Sequence, residues 1–175
     1  MQQLIDDLIY YSAAYDIGEL TIYDPWSIVK TDGSHIQRRI DERLSQLIVA
    51  RRHKFRSKVI IRYSQEHDDD EHDTNVLFVN LLDANDGRSS LVRVARQLSI
   101  TSSDITIESI DHLLHLDHID EPDLLIKYGC VDSLVGYPPW SLRVTEMLDG
   151  GEKFNELKFI SYLERFACRD QRFGR

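Results

Sequence analysis

Asn75-Val-Leu-Phe-Val-Asn-Leu-Leu82 is an almost unbroken apolar run, short enough for a strand and too continuous for one with a solvated face. Such runs are the mark of a strand buried on both sides of a parallel sheet. Asn85-Asp86-Gly87 comes next as a turn, and a helix is predicted over 88–98. Upstream, Val59-Ile60-Ile61-Arg62-Tyr63 and Glu19-Leu-Thr-Ile-Tyr23 are β-branched and aromatic, the latter ending at Asp24-Pro25, where proline removes a ladder donor. Leu4, Ile5, Leu8 and Ile9 recur at helical spacing in 3–15, and Ile36, Ile40, Leu44 and Leu47 do so after Asp32-Gly33-Ser34. Arg38, Arg39, Asp41, Glu42 and Arg43 fill the other face of that second helix.

Further along, a short helix over 107–116 precedes the breaker Glu121-Pro122 and a strand Asp123-Leu-Leu-Ile-Lys127. Trp140–Leu148 reads as helical, separated by Gly150-Gly151 from a last helix whose Phe159, Ile160, Leu163, Phe166 and Ala167 share a face. Helices alternating with strands predict one α/β domain over 1–175, a mainly parallel sheet flanked by helices. An acidic loop at 66–73 and an arginine-rich tail at 169–175 stand outside that pattern.

Composition narrows the function. With 175 residues, 42% hydrophobic and 29% charged, the chain fits a single globular domain. Its 21 Lys+Arg against 30 Asp+Glu leave a net charge of -9, a field that repels nucleic acid and anionic membranes. No apolar run approaches the roughly 20 residues of a membrane helix, and the first residues, Met1-Gln-Gln-Leu-Ile-Asp-Asp, lack the basic start and apolar core of a signal peptide. Cys130 and Cys168 have neither metal nor redox spacing, and a reducing compartment is expected. Cys168, beside the stripe of the last helix, is expected to be packed.

Several clusters invite chemistry. Asp69-Asp70-Glu71-His72-Asp73 has the form of a magnesium-diphosphate motif, but it joins two strands without a second acidic helix, and it reads as a solvated loop. His112, His115 and His118 alternate with Asp111, Asp117 and Asp120; because Leu113, Leu114, Leu116 and Ile119 supply the burial, the histidines read as a polar face rather than zinc ligands. For Asn85-Asp86-Gly87-Arg88 two readings stand open, an anion site at a helix start and a plain turn. The tail Arg169-Asp-Gln-Arg172-Phe-Gly174-Arg175 combines guanidiniums with a glycine that lets backbone approach a phosphate.

Pro122-Asp-Leu-Leu-Ile-Lys127, Gly136-Tyr-Pro-Pro-Trp140-Ser-Leu-Arg-Val-Thr-Glu146 and Gln171-Arg172-Phe-Gly174-Arg175 together resemble the cis-prenyltransferases, and among them the non-catalytic eukaryotic subunit of Nogo-B receptor type. Tyr23-Asp24 and Asp86-Gly87-Arg88 fall in the same family order. The resemblance implies an undecaprenyl diphosphate synthase-like fold whose first strand, ending in Asp-Gly-Asn and carrying the magnesium-positioning aspartate, is missing here. Catalytic members continue after Asp-Leu-Leu-Ile with two arginines, a glutamate and a serine around the diphosphates. Lys127, Cys130, Val131, Ser133 and Val135 stand in that register here, and a lysine offers a point charge where arginine offers a fork.

The resemblance implies an accessory subunit, not catalytic alone. It would complete a heterodimer that joins isopentenyl diphosphate to farnesyl diphosphate and makes the long polyprenyl (dehydrodolichyl) diphosphate used for dolichol and protein glycosylation. Magnesium would be held mainly by the catalytic partner. Arg172 and Gly174 would reach the partner's site to bind diphosphate, while Trp140, Arg143 and Glu146, from a helix used in dimerisation, would contact the partner; ordinary core is the equal alternative for Trp140. The implied address is the cytosolic face of the endoplasmic reticulum membrane, reached indirectly. A receptor or scaffold module without catalytic role is the alternative, for which the Arg-x-Gly tail has no use.

Overall fold

The computed structural model describes residues 1–50, 55–64, 73–101, 105–131, 133–143 and 145–168, and the side chains of 47–50 are not among them. Most of the acidic loop, and the whole tail with Arg172 and Gly174, lie outside the described residues.

Helix α1 (Gln2–Ala14) leads to strand β1 (Glu19–Tyr23), a short helix α2 (Ile28–Thr31) and the long α3 (Gly33–Ala50). Strands β2 (Lys58–Tyr63) and β3 (Val76–Leu82) come next, then α4 (Arg88–Thr101), α5 (Ile107–Leu116), β4 (Leu124–Tyr128), β5 (Glu146–Gly151) and α6 (Glu156–Ala167). Every pairing is parallel: β1-β3-β2 form one sheet and β4-β5 another. All seven residues of β3 are buried, as its sequence requires.

Alternation along β3 sends Leu77, Val79 and Leu81 to one face, against Ile5, Ile9 and Ala13 of α1 and Ile36, Ile40 and Leu44 of α3. On the other face Leu82 meets Val94 and Leu98 of α4 and Leu114 of α5. Arg39 and Arg43, expected on a solvated face, instead reach Asp6 at 2.8 Å and Asp7 at 2.7 Å and clip α3 to α1. The edge of β2 is tied to α3 by Gln37, whose amide donates to Val59 O (2.9 Å) and accepts from Ile61 N (3.2 Å); a side chain thus takes up edge groups left open by the ladder. Gly33 is fixed by contact, since a Cβ there would strike the Tyr63 hydroxyl.

Aromatic contacts join the two sheets. Tyr11 stacks on Phe154 at 5.4 Å, Tyr15 Oη donates to Glu156 Oε1 at 3.0 Å, and Tyr23 Oη donates to Val135 O at 2.7 Å.

Three expectations are corrected. Trp140–Leu148 is not a helix: Pro139–Ser141 make one 3-10 turn and Glu146–Gly151 is β5. The tandem prolines Pro138-Pro139 limit helix formation, and the ladder with β4, begun by Glu146 N donating to Asp123 O at 3.0 Å, outweighs a short apolar run whose periodicity does not distinguish helix from strand. Gly150 belongs to this strand because the Tyr128 ring lies where its Cβ would be, 2.5 Å away. Cys168 is exposed, being the residue that caps α6 rather than part of its buried stripe. Leu116 is also exposed, because α5 turns only Leu114 fully inward.

Candidate functional site

Open parallel sheets bind ligands beyond the carboxyl ends of their strands, and here those ends gather three buried acids, Asp24, Asp83 and Asp86. Each arrives by a local rule. Asp24 ends β1 and caps α2, accepting from Ile28 N (2.7 Å), Val29 N (3.0 Å) and Trp26 N (3.1 Å). Asp83 and Asp86 form a capping box after β3: Asp83 accepts from Asn85 N at 2.8 Å and Asp86 accepts from Asp83 N at 2.8 Å.

Lys30, on the short helix after β1, sends its Nζ to Asp86 Oδ2 at 2.8 Å and lies 3.9 Å from Asp83 Oδ2. The same Nζ donates to Ser64 Oγ at 3.3 Å, and that hydroxyl donates to Asp86. Ser27 Oγ donates to Asp83 Oδ2 at 2.8 Å. Burial opposes the charge on Asp83, yet the bonds from Ser27 and Asn85 and the nearby ammonium outweigh it and hold the carboxyl below its ordinary value. Tyr23 shifts the opposite way, raised by burial first and then by the charges of Asp83, Asp86 and Asp24.

Of the backbone donors around Asn85-Asp86-Gly87-Arg88, those of Asp83 and Asn85 already serve the chain's own carboxylates. The cluster does not fit a magnesium ion. The acid oxygens are engaged by an ammonium, hydroxyls and amides, and the described residues contain no His, Cys, Asp and Glu group arranged to hold a metal.

The second sheet closes the same end. Lys127 donates from Nζ to Val131 O at 3.1 Å, so the cation is turned onto the loop after its strand. Val135 sits at φ 44°, a strained conformation for a β-branched residue, held by the Tyr23 hydroxyl on its carbonyl. Gly87 permits the loop to settle, since a Cβ there would collide with Gly136 O. Cys130 and Ser133 lie exposed on this loop.

Trp140 and Arg143 come together elsewhere, over α5. Trp140 Nε1 donates to Asp111 Oδ1 at 2.6 Å, and Arg143 reaches Asp111 Oδ2 at 3.1 Å and Glu121 Oε2 at 3.3 Å. They line a groove of about 350 Å³ with His112, His115 and Asp120; His115 Nδ1 lies 2.7 Å from Asp120 Oδ1. Glu146 does not join them: it is buried in β5, 3.7 Å from Arg165 Nε of α6. Sequence reading overlooked Lys30 and Ser64 entirely. A lysine five residues beyond Pro25 carries no motif, and only the parallel order of β1, β3 and β2 brings it to Asp86.

No family model matches the chain. It is 28% identical over 98% of its length to the dehydrodolichyl diphosphate synthase complex subunit Nus1 of Mus musculus, of which the match covers 60%. It is 29% identical over 99% of its length to the corresponding subunit of Schizosaccharomyces pombe, covering 71% of that protein. The chain thus spans about three fifths of the length of its mammalian relatives. A crystal structure of a probable undecaprenyl diphosphate synthase from Campylobacter jejuni superposes with TM-score 0.67 at 16% identity, covering 99% of this chain and 93% of that one. The fold is that of the cis-prenyltransferases.

The Lys30–Asp86 pair should prove strongly coupled. Lys30→Met leaves a nearly inaccessible carboxylate without its cation and is expected to cost about 3–5 kcal/mol, read by chemical denaturation. Adding Asp86→Asn should recover part of that loss; costs that simply add would show the two groups to be independent. At the other pH extreme, burial pushes Tyr128 and Tyr137 up to about 12 from 10.0. An acid kept neutral by folding contributes fully below its unfolded value, and the contribution disappears as pH rises through the folded one. Melting followed against pH, with tyrosinate absorbance, should therefore show a falling midpoint from about pH 10 upward and late-titrating tyrosines; joint titration of all tyrosines near 10 without loss of stability contradicts this.

Proposed function

We propose that this chain, built on the cis-prenyltransferase fold and similar over nearly its whole length to Nus1-type subunits, is the accessory subunit of a heteromeric cis-prenyltransferase making dehydrodolichyl diphosphate. The observation that carries this reading is the closed, acidic end of the sheet. A diphosphate brought there would meet buried carboxylates already bonded within the chain, a lysine committed to Val131 O, and a strained loop at Val135. Chemistry on isopentenyl and farnesyl diphosphate then belongs to a catalytic partner, which also holds the magnesium.

In this reading the chain acts in trans. The Arg172 guanidinium and the Gly174 N–H bind diphosphate at the partner's site, where donors aimed at developing charge speed ionisation of the allylic bond. Trp140 and Arg143 contact the partner through their shared groove, where a half-buried tryptophan beside a guanidinium suits an interface anchor. Glu146, buried in β5, takes no part in that groove. No described helix is long and apolar enough to cross a membrane; the address proposed is the cytosolic face of the endoplasmic reticulum membrane.

Radiolabelled isopentenyl diphosphate incorporation tests the proposal. This chain alone should be inert, and its mixture with a catalytic cis-prenyltransferase subunit should exceed that subunit alone. Arg172→Ala and Gly174→Ala should cut turnover about 10-fold or more with the complex intact, whereas Trp140→Ala should weaken assembly. Elongation by the chain alone refutes the accessory role. A complex formed without stimulation favours the scaffold reading.

A further inference from the structure

The outer face of α4 carries a pattern that neither the core nor the closed sheet end uses. Ser90, Val94 and Leu98 point inward, and opposite them Arg88, Val92, Arg96 and Ile100 succeed one another at intervals of four. The stripe is exposed throughout, with Val92 49% and Ile100 84% accessible. Guanidinium and aliphatic groups thus alternate along a single ridge. Ala95 and Ser99, both small and exposed, lie beside it.

A shallow groove of about 390 Å³ runs among Arg88, Ser89, Val92, Arg93 and Arg96. Arg93 is neutralised by Asp117 at 2.5 Å, but the guanidiniums of Arg88 and Arg96 meet no carboxylate among the described residues. In a chain of net charge -9, a cationic row with uncommitted guanidiniums is a local reversal of the field, the kind that selects an oppositely charged partner.

We propose that this face docks an acidic amphipathic helix of another protein. Rows spaced by four residues are the ridges by which helices interlock. The alternation asks for carboxylates against Arg88 and Arg96 and aliphatic side chains against Val92 and Ile100, and the flanking Ala95 and Ser99 allow close approach. An anionic membrane fits less well, because the net negative charge opposes it and Val92 and Ile100 offer little area for insertion. A second copy of the chain would carry the same repulsive net charge.

The probe is a synthetic helical peptide of about 18 residues (five turns) with glutamate and leucine alternating at every fourth position, compared with a scrambled peptide of equal composition. Fluorescence anisotropy should show saturable, salt-sensitive binding of the patterned peptide only. Arg88→Glu/Arg96→Glu should weaken it about tenfold or more, and Val92→Asp should do likewise, with melting midpoints unchanged because these side chains are exposed. Equal binding of both peptides, no binding, or affinity unaltered by the substitutions overturns the proposal. So does substitution-sensitive binding to phosphatidylserine vesicles without peptide binding, or sedimentation showing that the face pairs two copies of the chain.

Discussion

The contact between Lys30 and Asp86 draws in each strand of the larger sheet. Lys30 sits on the short helix started by Asp24 at the end of β1, Asp86 on the turn that ends β3, and Ser64, bonded to both, comes directly after β2. Parallel strands have no hairpins to align their ends. A buried ion pair that also collects hydroxyl and amide partners supplies that alignment, and its geometry is sharp because either charge alone would be costly in so little water.

Functional consequences flow from the same contact. The carboxyl ends of parallel strands are where α/β proteins ordinarily receive anionic ligands, yet here Lys30, Ser27, Ser64 and the amides of Asp83 and Asn85 are turned onto the chain's own acids. The second sheet adds to the closure through Lys127, Val135 and the Tyr23 hydroxyl. A fold shared with a probable undecaprenyl diphosphate synthase thus carries, at the carboxyl ends of its larger sheet, acids bonded within the chain. Among the outward-facing surfaces of the described residues are the Trp140–Arg143 groove over α5 and the arginine row on α4.

Where the sequence carried a strong periodic signal, the fold was legible. The apolar run of β3 has one sensible burial, and the stripes of α1 and α5 place their helices within a residue or two. Glu146–Gly151 was misread because its run is short and its partner strand lies 22 residues upstream (Leu124 pairs with Glu146), beyond any local pattern. The residues recognisable by family order, Trp140 and Arg143, do meet in one groove, whereas Glu146 turns inward once its segment is a strand. Lys30 was invisible because its meaning depends on three separate strand ends. The tail residues Arg172 and Gly174 lie outside the described residues, so their reading rests on sequence.

Calorimetric titration of isopentenyl diphosphate with magnesium into the isolated chain tests the central claim most directly. A sheet end closed by its own carboxylates predicts no saturable binding. Saturable binding that Lys127→Ala abolishes would mean that the end opens to a diphosphate, and would contradict the account.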